Sequence, residues 1–301
     1  MKVTFVTIGV ARHYELAQRT ATQWANKLNL DNVTILTEDH INHFNVHPEL
    51  GEDWMWRSCL LKFWIPLIVD SDVWIYFDAD TNVINKFDPS IFYNDFCLIH
   101  DRLWWSCVQD WSQRYGIRQY GNAGIFAFNR SHLPLLQQMR EFDDYRSFEA
   151  HDQSILNVIA QQAGIKWFPR AFNHNNDLPL DAQPWLVNPF ILHSSSVYIP
   201  EYISRVNQLA EQRQDWLCDY DSMLKMAGTY SLCVKGQNYN VILTNDGVIS
   251  PLNMLWCARM DGTVAVQTPV FNGPWGEVFV LKQKTNRIFG DEVGCARLTK
   301  I

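Results

Sequence analysis

The chain has 301 residues, room for one large domain or two ordinary ones, and 47% of them are apolar, which excludes a disordered chain. Its 25 basic and 32 acidic side chains give a formal charge of −7, so neither a sequence-independent nucleic-acid surface nor an anionic membrane would attract it at long range. Seven scattered cysteines without a C-x-x-C pair fit a reducing compartment better than a disulfide framework.

In chain order, Val3 to Ile8 has the pattern of a strand, and Leu16, Thr20, Trp24 and Leu28 recur at helical spacing after it. Asn29 to Asn32 ends that helix, and Val33 to Leu36 is a second strand, so the chain opens as a β-α-β unit. Only nine mostly apolar residues separate Met1-Lys2 from Arg12, which suits a first strand better than a signal peptide. No apolar run approaches the length of a membrane span. The expectation is a soluble, cytoplasmic protein.

The stretch from Ile41 to Asp53 is polar, with His43 and His47, and reads as a loop; Trp56 to Val69 reads as a helix bearing Arg57 and Lys62. Next, Val73 to Phe77 is too short for a helix and rich in β-branched and aromatic residues, the pattern of a buried strand. At its end stand Asp78 and Asp80, separated by the small Ala79. Carboxylates at i and i+2 where a buried strand opens into a turn can share one hard cation, and such a cation can neutralise a diphosphate, the chemistry of a sugar-nucleotide site. The same pair can also be a plain turn former.

Phe96 to Ile99 is a further strand, Asp101 to Tyr120 an irregular aromatic stretch, and Asn122-Ala123-Gly124 opens an apolar strand running to Asn129. Small residues there let backbone approach a ligand and let the Asn side chain bond to it, although a glycine-bearing turn accounts for them equally. Two helices follow, from Ser131 to Phe142 and from His151, the second with Ile155, Leu156 and Ile159 on its apolar face and Gly164 as its stop. Asp152 at its start can be an N-cap or a catalytic group, whereas Gln153 has no capping role.

Ile165 to Phe168 is a short strand, Pro169 to Pro189 is polar and proline-punctuated, and Phe190 to Leu192 leads to His193. A neutral imidazole there could complete a coordination shell begun by the two aspartates, or be an ordinary hydrogen-bonded residue. Ile199 to Met226 reads as helix. From Tyr230 onward the texture changes to short alternating runs split by Lys235-Gly236, Asn245-Asp246-Gly247, Asp261-Gly262 and Asn272-Gly273, a small all-β module. The expected division is 1–227 and 228–301.

Taken together, the first strand with Tyr14, Lys62, the Asp78-Ala79-Asp80 turn, Asn122-Ala123-Gly124, Asp152-Gln153 and His193 resemble, in this order, the retaining GT-A glycosyltransferases, in particular the glycogenin-like enzymes and the bacterial lipopolysaccharide glucosyl- and galactosyltransferases. The resemblance spans residues 3 to 196 and implies an α/β, Rossmann-like nucleotide-diphospho-sugar transferase domain followed by the β-rich module. It implies that Asp78, Asp80 and His193 hold Mn²⁺ or Mg²⁺ bridging the phosphates of a UDP-sugar, with UDP-glucose or UDP-galactose as the donor. Thr7 and Tyr14 would stand at the nucleotide, with Tyr14 against the uracil, and Lys62 would touch the donor. Asn122, Ala123 and Gly124 would line the sugar and acceptor, with Asp152 and Gln153 beside the anomeric carbon.

Two departures from the family pattern stand out. The segment between Thr7 and Tyr14 lacks the usual polar set, and Ser194 to Tyr198 replaces a Lys-Pro-Trp segment, leaving serines to meet the phosphates. A saccharide or glycolipid acceptor is the family default, and a protein or modified nucleobase is the wider range. Two other functions compete: a sugar-nucleotide nucleotidyltransferase, for which Gly9 to Arg12 is a poor phosphate loop, and a non-catalytic carbohydrate-binding protein using some of the 13 tryptophans.

Overall fold

A computed structural model describes residues 1–31, 33–101, 114–117, 119–144, 151–161, 164–175, 188–193, 199–252, 254–267, 278–285, 287–291, 294 and 296–301. The irregular aromatic stretch after Asp101 (in most of its length), Ser194 to Ser196 and the Asn272-Gly273 turn lie outside these residues. The chain divides into two compact units, 1–167 with 192–199, and 168–191 with 200–301. The change of texture at Ala227-Gly228 coincides with the first strand of a barrel.

The first unit begins with β1 (Val3–Ile8), α1 (Tyr14–Leu28) and β2 (Val33–Leu36). The stripe Leu16, Thr20 and Trp24 is buried, and α1 ends at Asn29 in the left-handed region (φ 54°), one of the few conformations in which asparagine replaces glycine readily. The stretch read as loop from Ile41 begins inside a helix, α2 (Glu38–His43). His40 Nδ1 accepts the Thr37 N–H at 3.1 Å, the role in a capping box that a sequence search assigns to Glu or Gln.

The single helix expected over Trp56 to Val69 is broken into α3 (Trp54–Leu61), a 3₁₀ turn (Lys62–Trp64) and α4 (Ile65–Ile68). Pro66 explains the break, since it offers no N–H and its ring would collide with the carbonyl of Lys62 one turn earlier. There follow β3 (Val73–Phe77), β4 (Thr81–Val83), β5 (Cys97–His100), β6 (Gly121–Asn129), α5 (Leu133–Arg140), α6 (His151–Ala160) and β7 (Lys166–Phe168). Past β8 (His174–Asn175), strand β9 (Ile191–His193) returns to pair with β4.

The six-stranded sheet has the order β2-β1-β3-β6-β5-β7, with β1 parallel to both β2 and β3, and β6 antiparallel to β3 and β5. The chain leaves β1 toward β2 and then returns to the other side of β1 as β3, so the carboxyl ends of β1 and β3 flank a topological switch point. In open α/β sheets that is where a ligand crevice forms. Asp78 follows β3 directly at this edge.

In the second unit, the helix expected from Ile199 to Met226 is interrupted: α7 (Pro200–Gln212) and α8 (Tyr220–Met226) flank a 3₁₀ turn at Gln214–Trp216 and extended residues that bridge to Asn188 and Arg259. Strands β10 (Gly228–Val234), β11 (Gln237–Leu243), β12 (Val248–Ser250), β13 (Met254–Ala258), β14 (Val264–Gln267), β15 (Val278–Thr285), β16 (Ile288–Gly290) and β17 (Ala296–Lys300) form a closed barrel. Lys235 and Gly236, both at positive φ (49° and 79°), make the two-residue turn between the first two strands. The α/β class with a β-rich C-terminal module is thus what the structure shows.

Trp24 is fully buried and stacks on Phe77 at 4.1 Å, pinning α1 against the strand that carries the acidic turn. Trp24→Ala is expected to lower the free energy of unfolding by about 3–5 kcal/mol, measured by urea denaturation.

Candidate active site

Alternation along β3 puts Phe77 on the face of Trp24 and puts Tyr76 and Asp78 together on the other. The turn after the strand is braced by α1. Thr20 Oγ1 donates to the Ala79 carbonyl (2.5 Å), Trp24 Nε1 to Thr81 Oγ1 (3.1 Å), and the Thr81 N–H and hydroxyl both to the Asp78 carbonyl (3.2 and 2.7 Å). Gln23 exchanges two bonds with the backbone of Val83. Aspartates in turns commonly cap their own backbone, as Asp80 does; Thr81 and three residues of α1 share that work.

Strand β9 delivers His193 to this turn. Its Nε2 lies 3.2 Å from Asp80 Oδ1 and 3.7 Å from Asp78 Oδ2, and one ligand atom from each residue falls within 4.8 Å of the others. The imidazole fits only because position 124 is glycine, where a Cβ would stand 2.3 Å from His193 Cε1 and 2.6 Å from Nδ1. Burial pulls the imidazole pKa down, but the Asp80 carboxylate, with help from Asp78, outweighs it and raises the value to about 9. Burial conversely pushes the Asp80 carboxyl up, and His193 more than offsets it, holding it below the usual carboxylate range.

The other side of the site is a bulge in β6. Between Leu98↔Phe126 and Ile99↔Asn122 the register with β5 jumps, so Ala123 to Ile125 have no ladder partner there. Site residues take up the freed groups of Ala123: its N–H goes to Gln153 Oε1 (3.0 Å) and its carbonyl accepts from Lys62 Nζ (3.3 Å). Gly124 faces β3 instead, its carbonyl accepting the Asp78 N–H (2.7 Å) while its N–H goes to Asn122 Oδ1 (2.7 Å). Asn122 Nδ2 in turn donates to Asp101 Oδ2 at 3.0 Å.

Lys62, at the helix break, is buried, with its ammonium 2.7 Å from Asp152 Oδ2, 3.0 Å from Asp78 Oδ1 and 4.8 Å above the Tyr76 ring. Burial disfavours the charged lysine, yet the two carboxylates dominate and raise its pKa well above normal. The Tyr76 hydroxyl donates to Asp78 Oδ1; burial first, then the Asp78 charge, keeps the phenol protonated. Cys59 on α3 is held as a thiol by burial and by the neighbouring Asp152, to which it is hydrogen-bonded.

Asp78, Asp80, His193, Lys62, Asp152, Asn122, Ala123, Gly124 and Gln153 therefore form one connected cluster. Lys62, expected to touch the donor, already directs three contacts to protein oxygens. Gln153, which lacked a structural role in the sequence, has one as the acceptor for Ala123. Tyr14 is 39% exposed in the first turn of α1, where Gly9 lets its backbone approach the end of β1 closely. Thr7 is fully buried in the central strand, and its hydroxyl has no hydrogen-bond partner among the described residues. Tyr76, Thr20, Gln23, Cys59 and Asp101 were not read from the sequence as site residues. The first two could have been, as a tyrosine in a buried apolar run two residues before Asp78 and a threonine inside an apolar helix stripe.

Three carboxylates and one ammonium leave two negative charges when His193 is neutral, a deficit that one divalent cation cancels. The oxygen, oxygen and nitrogen donors suit Mn²⁺ or Mg²⁺ rather than a thiolate-seeking metal.

No protein-family model matches the chain, nor does any curated protein. Among solved structures it is similar to the glycosyltransferase GlyE of Streptococcus pneumoniae TIGR4, at 17% identity over 64% of this chain and 55% of that one, TM-score 0.43. It is also similar to the galactosyltransferase LgtC in complex with donor and acceptor sugar analogs, at 15% identity over 69% and 95%, TM-score 0.44. A third is a glycosyltransferase involved in the glycosylation of the major capsid of PBCV-1, at 12% identity over 70% and 100%, TM-score 0.45. At these scores, function has to be argued from the site itself.

Two outcomes are expected in calorimetric titrations with Mn²⁺. Gly124→Ala displaces the His193 ring and weakens binding about 10–100-fold while the fold survives. Because His193 holds a proton below pH of about 9 and the ion must displace it, affinity rises as pH is raised from about 6 to about 9, by up to about tenfold per unit; His193→Gln binds weakly and loses this slope.

Proposed function

We propose that the chain is a metal-dependent glycosyltransferase that moves a hexose from a UDP-linked donor, UDP-glucose or UDP-galactose, to an acceptor hydroxyl with retention of configuration. The observation that carries this reading is the convergence of Asp78, Asp80 and His193 beside the switch point of a Rossmann-like sheet, where a diphosphate would lie. The sequence resemblance to GT-A enzymes assigns the same residues the same task. A saccharide or glycolipid is the acceptor favoured by that resemblance.

A divalent ion held by Asp78, Asp80 and His193 supplies Lewis-acid stabilisation of the departing diphosphate. Lys62 fixes the orientation of Asp78 and Asp152 and offsets their charge. Asp152 is tied to Lys62 at 2.7 Å and the Gln153 carbonyl to the Ala123 amide at 3.0 Å, so neither is presented as a nucleophile for a covalent intermediate. This favours departure and attack on one face of the sugar, the acceptor proton passing to the leaving phosphate oxygen, with Asp152 stabilising the positive anomeric carbon electrostatically. In this reading residues 1–227 are the catalytic domain and 228–301 an accessory module. The thiols of Cys59, Cys97, Cys218, Cys233 and Cys257, all free, suit a cytoplasmic setting.

UDP release from UDP-glucose and UDP-galactose is expected with Mn²⁺ and not with chelator. Asp80→Ala should reduce it at least about 100-fold with little change in the unfolding midpoint. NMR of the glycosylated product should show the donor's anomeric configuration. The reading fails if no nucleotide sugar is bound, hydrolysed or transferred in the presence of Mn²⁺ or Mg²⁺.

A further inference from the structure

Asp78 offers its two oxygens to different partners. Oδ1 accepts the Tyr76 hydroxyl and lies 3.0 Å from Lys62 Nζ, whereas Oδ2 faces His193 Nε2 at 3.7 Å. Tyr76 is almost fully buried in the middle of β3, where a phenol costs free energy unless its hydroxyl is bonded, and its place two residues before Asp78 puts both side chains on one face. Oδ1 is thereby directed into the protein and a single oxygen is left for a cation.

The geometry points to Tyr76 as a positioning residue that holds Asp78 to one-oxygen coordination and so sets the selectivity of the site for a small six-coordinate cation over Ca²⁺. Calcium takes six to eight oxygens in loose geometry and gains from two-oxygen carboxylates, whereas Mn²⁺ and Mg²⁺ accept a compact octahedral shell. A one-oxygen Asp78, with Asp80 and His193, would leave room in an octahedral shell for diphosphate oxygens and water, and would withhold the extra oxygen that a larger shell needs. Removing the Tyr76 hydroxyl releases one of the two hydrogen bonds on Oδ1 and lets the carboxylate turn both oxygens toward the ion. This inference rests on the metal site of the proposed function and adds a determinant outside the ligand set.

The test is Tyr76→Phe, which keeps the ring in the core, with free Mn²⁺ followed by electron paramagnetic resonance while Ca²⁺ is titrated in as competitor. The wild type is expected to prefer Mn²⁺, and the variant to show a Ca²⁺-to-Mn²⁺ affinity ratio raised about tenfold, the size of effect typical of residues behind a metal ligand. A ratio unchanged within about twofold overturns the inference and leaves the metal site standing. Should the variant not fold, a crystal of the wild type soaked in Mn²⁺ decides: one Asp78 oxygen on the ion is expected, and two would overturn the assignment. If no Mn²⁺ binds the wild type at all, the metal reading itself fails and the inference goes with it.

Discussion

One buried ammonium organises the acidic centre. Taking a lysine out of water costs several kcal/mol unless it is paired in good geometry, and Lys62 meets that demand with Asp78, Asp152 and the Ala123 carbonyl. The pairing is mutual, because the two carboxylates come from the end of β3 and the start of α6, and neither could be buried so close to the other without the charge between them. The position of the lysine follows from a backbone event. Pro66 breaks the helix that the apolar periodicity would otherwise continue, and Lys62 begins the 3₁₀ turn at that break.

The second constraint is the exchange of regular pairing for function in β6. A bulge normally leaves backbone groups without a ladder partner, and here those of Ala123 are taken by Gln153 and Lys62, while the neighbouring Gly124 bonds to Asn122 and Asp78. The residues that resemble a sugar-binding turn thus also join three elements: α6, the helix break and the end of β3. Gly124 adds a steric condition, since the space of its missing side chain is filled by the His193 ring. A glycine near a ligand site is often explained by ligand approach; here it is explained by approach of another protein side chain.

These contacts divide the site into a face that binds and a face that holds. Asp80, His193 and Asp78 Oδ2 turn toward one another in a group that could hold a metal ion, while Asp78 Oδ1, Lys62, Tyr76 and Cys59 form the low-dielectric back wall that fixes their direction. Preorganisation of this kind is what electrostatic catalysis requires, because no reorientation is needed as charge develops on the leaving group.

The strands of the sheet, the acidic turn after β3 and the β character of the C-terminal module were legible in the sequence, since each depends on local periodicity and turn chemistry. Asp78, Asp80 and His193 could be proposed only as a set, because an Asp-x-Asp turn and a lone histidine after a strand each have an ordinary structural reading and gain weight from the order in which they resemble the GT-A enzymes. Helix α2 was missed because a histidine filled the capping position usually held by Glu or Gln, and α3–α4 was read as unbroken because apolar spacing masked the effect of Pro66. The roles of Lys62, Gln153 and Gly124 depend on pairings with residues distant along the chain, Lys62 with Asp78, Ala123 and Asp152, Gln153 with Ala123 and Gly124 with His193, which no local pattern encodes. The sequence by itself determined which residues could bear chemistry, because side-chain type and strand-end position are local properties. Only the tertiary structure decided which of them converge on one another and which hold the others in place, because that choice is made by the burial of charge and by contacts distant along the chain.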